Sequence, residues 1–162
     1  TSGAHIFSVA KHTLLVEAVM REQAPRVDVR LRLAALLHDA PEYVIGDMIS
    51  PFKAALGVNY KDFEERLENA IHTRFGLPAR TPAPIKALIK QADRACAFFE
   101  ATQLAGFKHA ESLAFFDAPP LGYSLTIDPQ PPAVAQQRYL ERFHVLSEAA
   151  GYTPVAAAFD TE

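Results

Sequence analysis

A second cysteine is missing from this 162-residue chain, where Cys96 stands alone. No internal disulfide framework can therefore staple the fold, and a reducing compartment, the cytoplasm, is the expected setting. Charge of one sign is also missing: 16 lysines and arginines face 19 aspartates and glutamates. That balance gives no positive field for a nucleic-acid polymer and no like-charge tail. No apolar run approaches the ~20 residues needed to span a bilayer, and the first residues do not set a charged region before an apolar one. Alternation with period two never lasts long enough to demand a sheet, and no segment repeats. What remains is an all-α chain, expected to form one domain over residues 1–162, long enough to bury a core unaided. A metal in such a domain acts rather than staples.

Helical periodicity is plentiful. Val9 to Met20 places Val9, Leu15, Val16 and Val19 at helical spacing behind a capping Ser8, and Pro25 closes it. Asp28 caps a second helix expected to run to Ala40, with Val29, Leu33, Leu36 and Leu37 along its stripe and His38 and Asp39 on its last turn. Pro41 ends or redirects it, Gly46 permits an unusual backbone angle, and Pro51 opens a short helix to Leu56 before Gly57. Tyr60 to Phe75 is amphipathic, with Phe63, Leu67, Ile71 and Phe75 in the buried rhythm, and Gly76 and Pro78 end it. Pro82 or Pro84 starts a long helix to about Leu104. Residues 106–132, rich in proline and aromatics, form an ordered excursion before a last helix from Ala133 to Ala150.

The chemistry concentrates at His38-Asp39. Consecutive helical residues point about 100° apart, so neighbours converge on one ion only at a helix end or where other elements wrap round them. The dipeptide alone is a weak signal, since a helix C-terminus also favours histidine for its dipole. Behind it, in register, stand Glu42, Gly46-Asp47 and Pro51 to Lys53. His12, isolated on a half-apolar helix, reads by itself as a core histidine, and the downstream cassette turns it into a candidate ligand. Asp93 lies in a helix rich in Ala, Ile and Phe, where an unpaired carboxylate costs several kcal/mol. Its neighbour Arg94 is badly placed to pair with it, so a metal or an arginine from elsewhere is needed. His5, His72, His109 and His144 lack companions at ligand spacing and read as surface or core residues. Phe98, Phe99, Phe107, Phe115, Phe116 and Tyr123 include candidates for stacking a base, although packing explains most of them.

The order His, then His-Asp, then Asp, each on its own helix, resembles the HD-domain metal-dependent phosphohydrolases. His38-Asp39-Ala40-Pro41-Glu42, Gly46-Asp47 and Pro51-Phe52-Lys53 resemble the YfbR-like 5'-deoxynucleotidase branch, whose pattern is HDxxE, then GD, then Pro-x-Lys. The likeness runs from about Ser8 to about Leu104. It implies an HD-domain helical bundle with one divalent ion on His12, His38, Asp39 and Asp93. Two imidazoles and two carboxylates leave open positions and suit Mn, Co, Ni, Fe or Zn better than Ca. Such an ion acidifies water and neutralises phosphate oxygens. By the same resemblance Glu42 is the general acid/base, and Asp47 orients water or protonates the leaving 5'-oxygen. Lys53 and Arg94 are the candidate phosphate contacts, against the plainer readings of a solvated lysine and a supporting ion pair. The expected substrate is a small molecule, a (deoxy)nucleoside 5'-monophosphate. Alternatives are triphosphate removal from a dNTP at the same site and a metal-binding helical sensor without turnover. Homodimers are common among relatives, although nothing in the sequence marks an interface. Lys11 departs from the acidic residue or Gln often found before the first His. The chain starts at Thr1 without methionine, and the resemblance implies an upstream helix and loop bearing a phosphate-contacting Arg.

Overall fold

Ser8 begins the first helix by accepting a hydrogen bond from the Lys11 amide at 3.3 Å, which satisfies one of the orphan donors of the first turn. The structure, a computed structural model, describes residues 7–46, 55, 58–116, 119 and 123–152. Seven helices account for most of them: α1 (Val9–Gln23), α2 (Val29–Leu36), α3 (Ala40–Ile45), α4 (Val58–Arg74), α5 (Ala83–Gln103), α6 (His109–Phe115) and α7 (Pro132–Ala149). Among the described residues there is no strand. None of these helices is long and apolar enough to cross a membrane.

The core forms where α1 packs against α5, α2 and α7. Val16, Val19 and Met20 meet Leu33 to Leu36 of α2, Ile89, Ala92 and Cys96 of α5, and Phe143 and Leu146 of α7. Each large side chain buried there stabilises the fold by roughly 1.5–3 kcal/mol. A polar clamp crosses the same helices. Glu17 on α1, only 2% exposed, accepts from Arg32 on α2 at 2.8 and 2.9 Å and from Arg142 on α7 at 2.7 and 2.9 Å. Burial opposes its ionisation, but the two guanidiniums prevail and hold its pKa below the usual range.

Two expectations are corrected by the structure. The second helix stops at Leu36 instead of reaching Ala40, and His38 and Asp39 occupy the turn before α3. Pro41 has no N–H to offer the Leu37 carbonyl, which accepts instead from Ala40 at 2.9 Å in a tight turn. Pro41 then sits in the first turn of α3, where a missing N–H costs nothing. In α4 the expected apolar stripe is buried only towards its C-terminus: Phe63 is 50% exposed, while Ile71 and Phe75 pack against the core cluster. The expected short helix from Pro51 to Leu56 lies outside the described residues except for Ala55, which is helical. The excursion after α5 holds α6 and an extended run that Gln103 clips in place, donating to Leu125 O at 2.7 Å and accepting from the Ile127 amide at 2.9 Å.

Candidate metal centre

Three separate elements bring the site together. His12 lies one turn into α1, where its amide bonds the Ser8 carbonyl at 3.0 Å. His38 and Asp39 come from the α2–α3 turn, with Asp39 at φ −99° and ψ 11°, in the sparsely populated bridge region where active-site residues recur. Asp93 projects from the middle of α5. One ring nitrogen of His12, one of His38 and one carboxylate oxygen of Asp93 all lie within 4.8 Å of one another. Asp39 reaches the same point, with Oδ2 3.7 Å from His12 Nε2 and Oδ1 3.3 Å from His38 Nε2.

The chemistry of these atoms fits a cation. His38 Nδ1–H donates to the Ala35 carbonyl at 2.8 Å, so the lone pair belongs on Nε2. That Nε2 is buried and has no hydrogen-bond partner, although it faces a carboxylate. Burial holds the ring neutral by lowering its pKa. A bare lone pair opposite carboxylate oxygens is unfavourable unless positive charge lies between them. His12 registers the same field. Its burial favours the neutral ring, yet hydrogen bonds to Asp93 and Glu100, together with the charges of Glu100 and Asp39, raise its pKa to about 10. Asp93 is 3.3 Å from His12 Nε2 and 2.7 Å from the Lys90 ammonium. Against the opposing effect of burial, those two partners hold it well below the usual carboxylate range. Lys90, one turn back on the same helix, thus pairs with one oxygen of Asp93, where the sequence pointed to a metal or an arginine from elsewhere.

A cleft of about 330 Å³ opens onto this cluster. His38, Asp39 and Asp93 line it together with Glu42 of α3, while α4 contributes Lys61, Glu64, Glu65 and Glu68 and α5 contributes Lys86 and Lys90. A larger cavity of about 660 Å³ is walled mainly by carbon, with Tyr43, Phe75, Tyr139 and Phe143 among its lining, and contains none of the clustered groups. Cys96 is not a candidate nucleophile. Burial, then the charges of Glu100 and Asp93, push its thiol pKa far up.

The chain as a whole has known relatives. Residues 2–111 match the family model of the 5'-deoxynucleotidase YfbR-like proteins. The chain belongs to that family. It is therefore an HD-type nucleotide phosphohydrolase on an all-α HD-domain bundle, and enzymes of this type are metal-dependent. An uncharacterised protein of Rhodobacter capsulatus is 50% identical over 148 residues, covering 90% of this chain and 76% of the relative. The Escherichia coli (strain K12) protein YfdR, also uncharacterised, is 28% identical over 145 residues, covering 90% of this chain and 74% of its own length.

The structure thus brings together His12, His38, Asp39 and Asp93, with Glu42 on the same cleft. Asp47 and Lys53 lie outside the described residues. Arg94 is exposed and is not among the cleft-lining residues. No aromatic residue lines the cleft among the described residues: Phe98 is buried against Phe99 and His109, and Phe107 pairs with Phe115 at the surface. Sequence reasoning missed the cleft lysines and Glu100, whose Oε1 is 2.6 Å from His12 Nδ1. A seven-residue spacing from Asp93 was the available signal for Glu100.

Proposed function

We propose that the chain hydrolyses the phosphomonoester of a (deoxy)nucleoside 5'-monophosphate, with one divalent transition metal held by His12, His38, Asp39 and Asp93. The observation that supports this most is the buried, unpartnered His38 Nε2 directed at the carboxylates. When bound, the ion supplies positive charge for phosphate oxygens and lowers the pKa of water in the cleft. Mn, Co, Ni, Fe and Zn all suit the donor set.

This chain's own residues do the rest. Glu42 opens α3 on the cleft wall, one turn beyond Asp39, and serves as the general acid/base that takes or returns the proton. Asp47 orients water or protonates the leaving 5'-oxygen, and Lys53 holds phosphate. The cleft lysines Lys61, Lys86 and Lys90 are further phosphate contacts, in a better position for it than exposed Arg94. Glu64, Glu65 and Glu68 share that wall. They offset the lysines and disfavour a long polyanion, which supports monophosphate over the dNTP alternative.

The test is phosphate release from a panel of nucleoside 5'-mono- and 5'-triphosphates and 3'-isomers, after chelation and re-addition of single metals. Activity on 5'-monophosphates with Mn²⁺ or Co²⁺, and a poor response to 3'-isomers, is expected. Triphosphate release alone would replace the substrate and leave the metal site standing. Inactivity on every nucleotide with every metal would favour the sensor alternative.

A further inference from the structure

The two imidazoles of the site are built alike in one respect: each has Nδ1 held by an oxygen and Nε2 left for the cluster. For His38 the oxygen is the Ala35 backbone carbonyl at 2.8 Å. For His12 it is the carboxylate of Glu100 at 2.6 Å, with the two side chains 13% and 22% exposed. Glu100 follows Asp93 by seven residues on α5, and seven steps of 100° return to within about 20° of the same face. That face packs on α1. One helix therefore grips His12 from both sides, Asp93 at Nε2 and Glu100 at Nδ1.

Local structure does not account for a glutamate at this position. Glu100 lies in the last turn of α5, where the helix dipole disfavours a carboxylate. Among the described residues it has no lysine or arginine ion pair, and its side chain bonds His12. A partly buried carboxylate is costly unless a hydrogen bond or a positive charge compensates it. The hydrogen bond to His12 is what compensates.

We propose that Glu100 is the positioning residue of the metal centre: by accepting the His12 Nδ1–H it fixes the ring's orientation and tautomer, so that the Nε2 lone pair faces the ion. This rests on the metal reading of the cluster. Carboxylates behind ligating histidines act in this way in metalloproteins generally, and their removal lowers metal affinity by about 10–100-fold. The hydrogen bond, rather than the net charge, carries the effect, so an amide oxygen at the same place preserves most of it.

The test titrates the whole chain with Co²⁺ against a chelating dye, comparing wild type with Glu100→Ala, Glu100→Gln and His38→Ala. The expected result is Co²⁺ affinity lowered about 10–100-fold in Glu100→Ala and restored to within a few-fold in Glu100→Gln. In the Zn²⁺-loaded protein, a long-range proton–nitrogen NMR spectrum should show His12 protonated on Nδ1 in wild type and Glu100→Gln. Wild-type affinity in Glu100→Ala, or an isosteric Glu100→Gln as weak as Glu100→Ala, overturns the proposal if His38→Ala has lost Co²⁺. Unchanged Co²⁺ binding in His38→Ala overturns the metal reading itself, and the proposal with it.

Discussion

Glu42 and His72 are two polar residues of one chain with opposite meanings. Glu42 is half-buried on the cleft, one turn past Asp39 and not among the clustered donor atoms. Glu42→Ala should keep its metal by elemental analysis, while turnover falls by about 10²-fold or more, the loss typical of a positioned acid/base. Near-normal turnover would reduce Glu42 to a wall residue, and loss of metal would make it a ligand. His72, 1% exposed, belongs to the core. Burial, the largest influence, lowers its pKa against the pull of Glu68, and Lys86 adds the smallest contribution. The unfolded chain therefore takes up the proton before the folded one does. The resulting stability is complete above the ordinary histidine pKa of about 6.5 and is lost as pH falls through the lowered folded value. Urea midpoints measured from pH 7.5 to 5 should fall more steeply for wild type than for His72→Leu. Parallel curves would contradict the burial argument. The resemblance carried by His38-Asp39 and Glu42 pointed to His12, His38, Asp39 and Asp93, and the structure brings those four side chains together. Glu100 offered only its seven-residue spacing from Asp93, and that signal has meaning only once it is known which face of α5 meets α1.

At the scale of elements, the first two helix starts were readable from their caps: Ser8 opens α1 and Asp28 accepts from the Arg30 amide at 2.8 Å to open α2. The α2–α3 junction was misread because an apolar stripe runs past the point where Pro41 interrupts the hydrogen-bond ladder. Pro41→Ala supplies the missing donor and lets α2 continue, which turns His38 and Asp39 away from each other. Helicity should hold by circular dichroism while Co²⁺ affinity drops about tenfold or more, the penalty of a displaced ligand pair. Unchanged affinity would mean that the turn does not depend on this proline. The Glu17 clamp acts on the same scale, since one carboxylate holds α1, α2 and α7 together. Glu17→Ala should cost about 2–4 kcal/mol in denaturant unfolding, somewhat under the full cost of a broken buried pair because both arginines reach solvent. A change below about 0.5 kcal/mol, the size typical of surface positions, would show the clamp to be dispensable.

For the whole molecule, the all-α bundle follows from helical periodicity, but the cleft does not. Lys86 and Lys90 already share a face of α5 four residues apart, but Lys61 of α4 joins them only along the folded cleft, and no local pattern announces that. His38, Asp39 and Asp93 line that cleft beside its lysines and glutamates, so metal content and phosphate release should rise and fall together. The most direct measurement is made on paired samples of wild type and His38→Ala, each chelated and then titrated with Mn²⁺, with bound metal and phosphate release from a deoxynucleoside 5'-monophosphate followed in the same tubes. Wild type should regain one equivalent of metal and activity in proportion, and folded His38→Ala should regain neither. Phosphate release that survives chelation, or full metal content and activity in His38→Ala, would contradict a catalytic metal at this site.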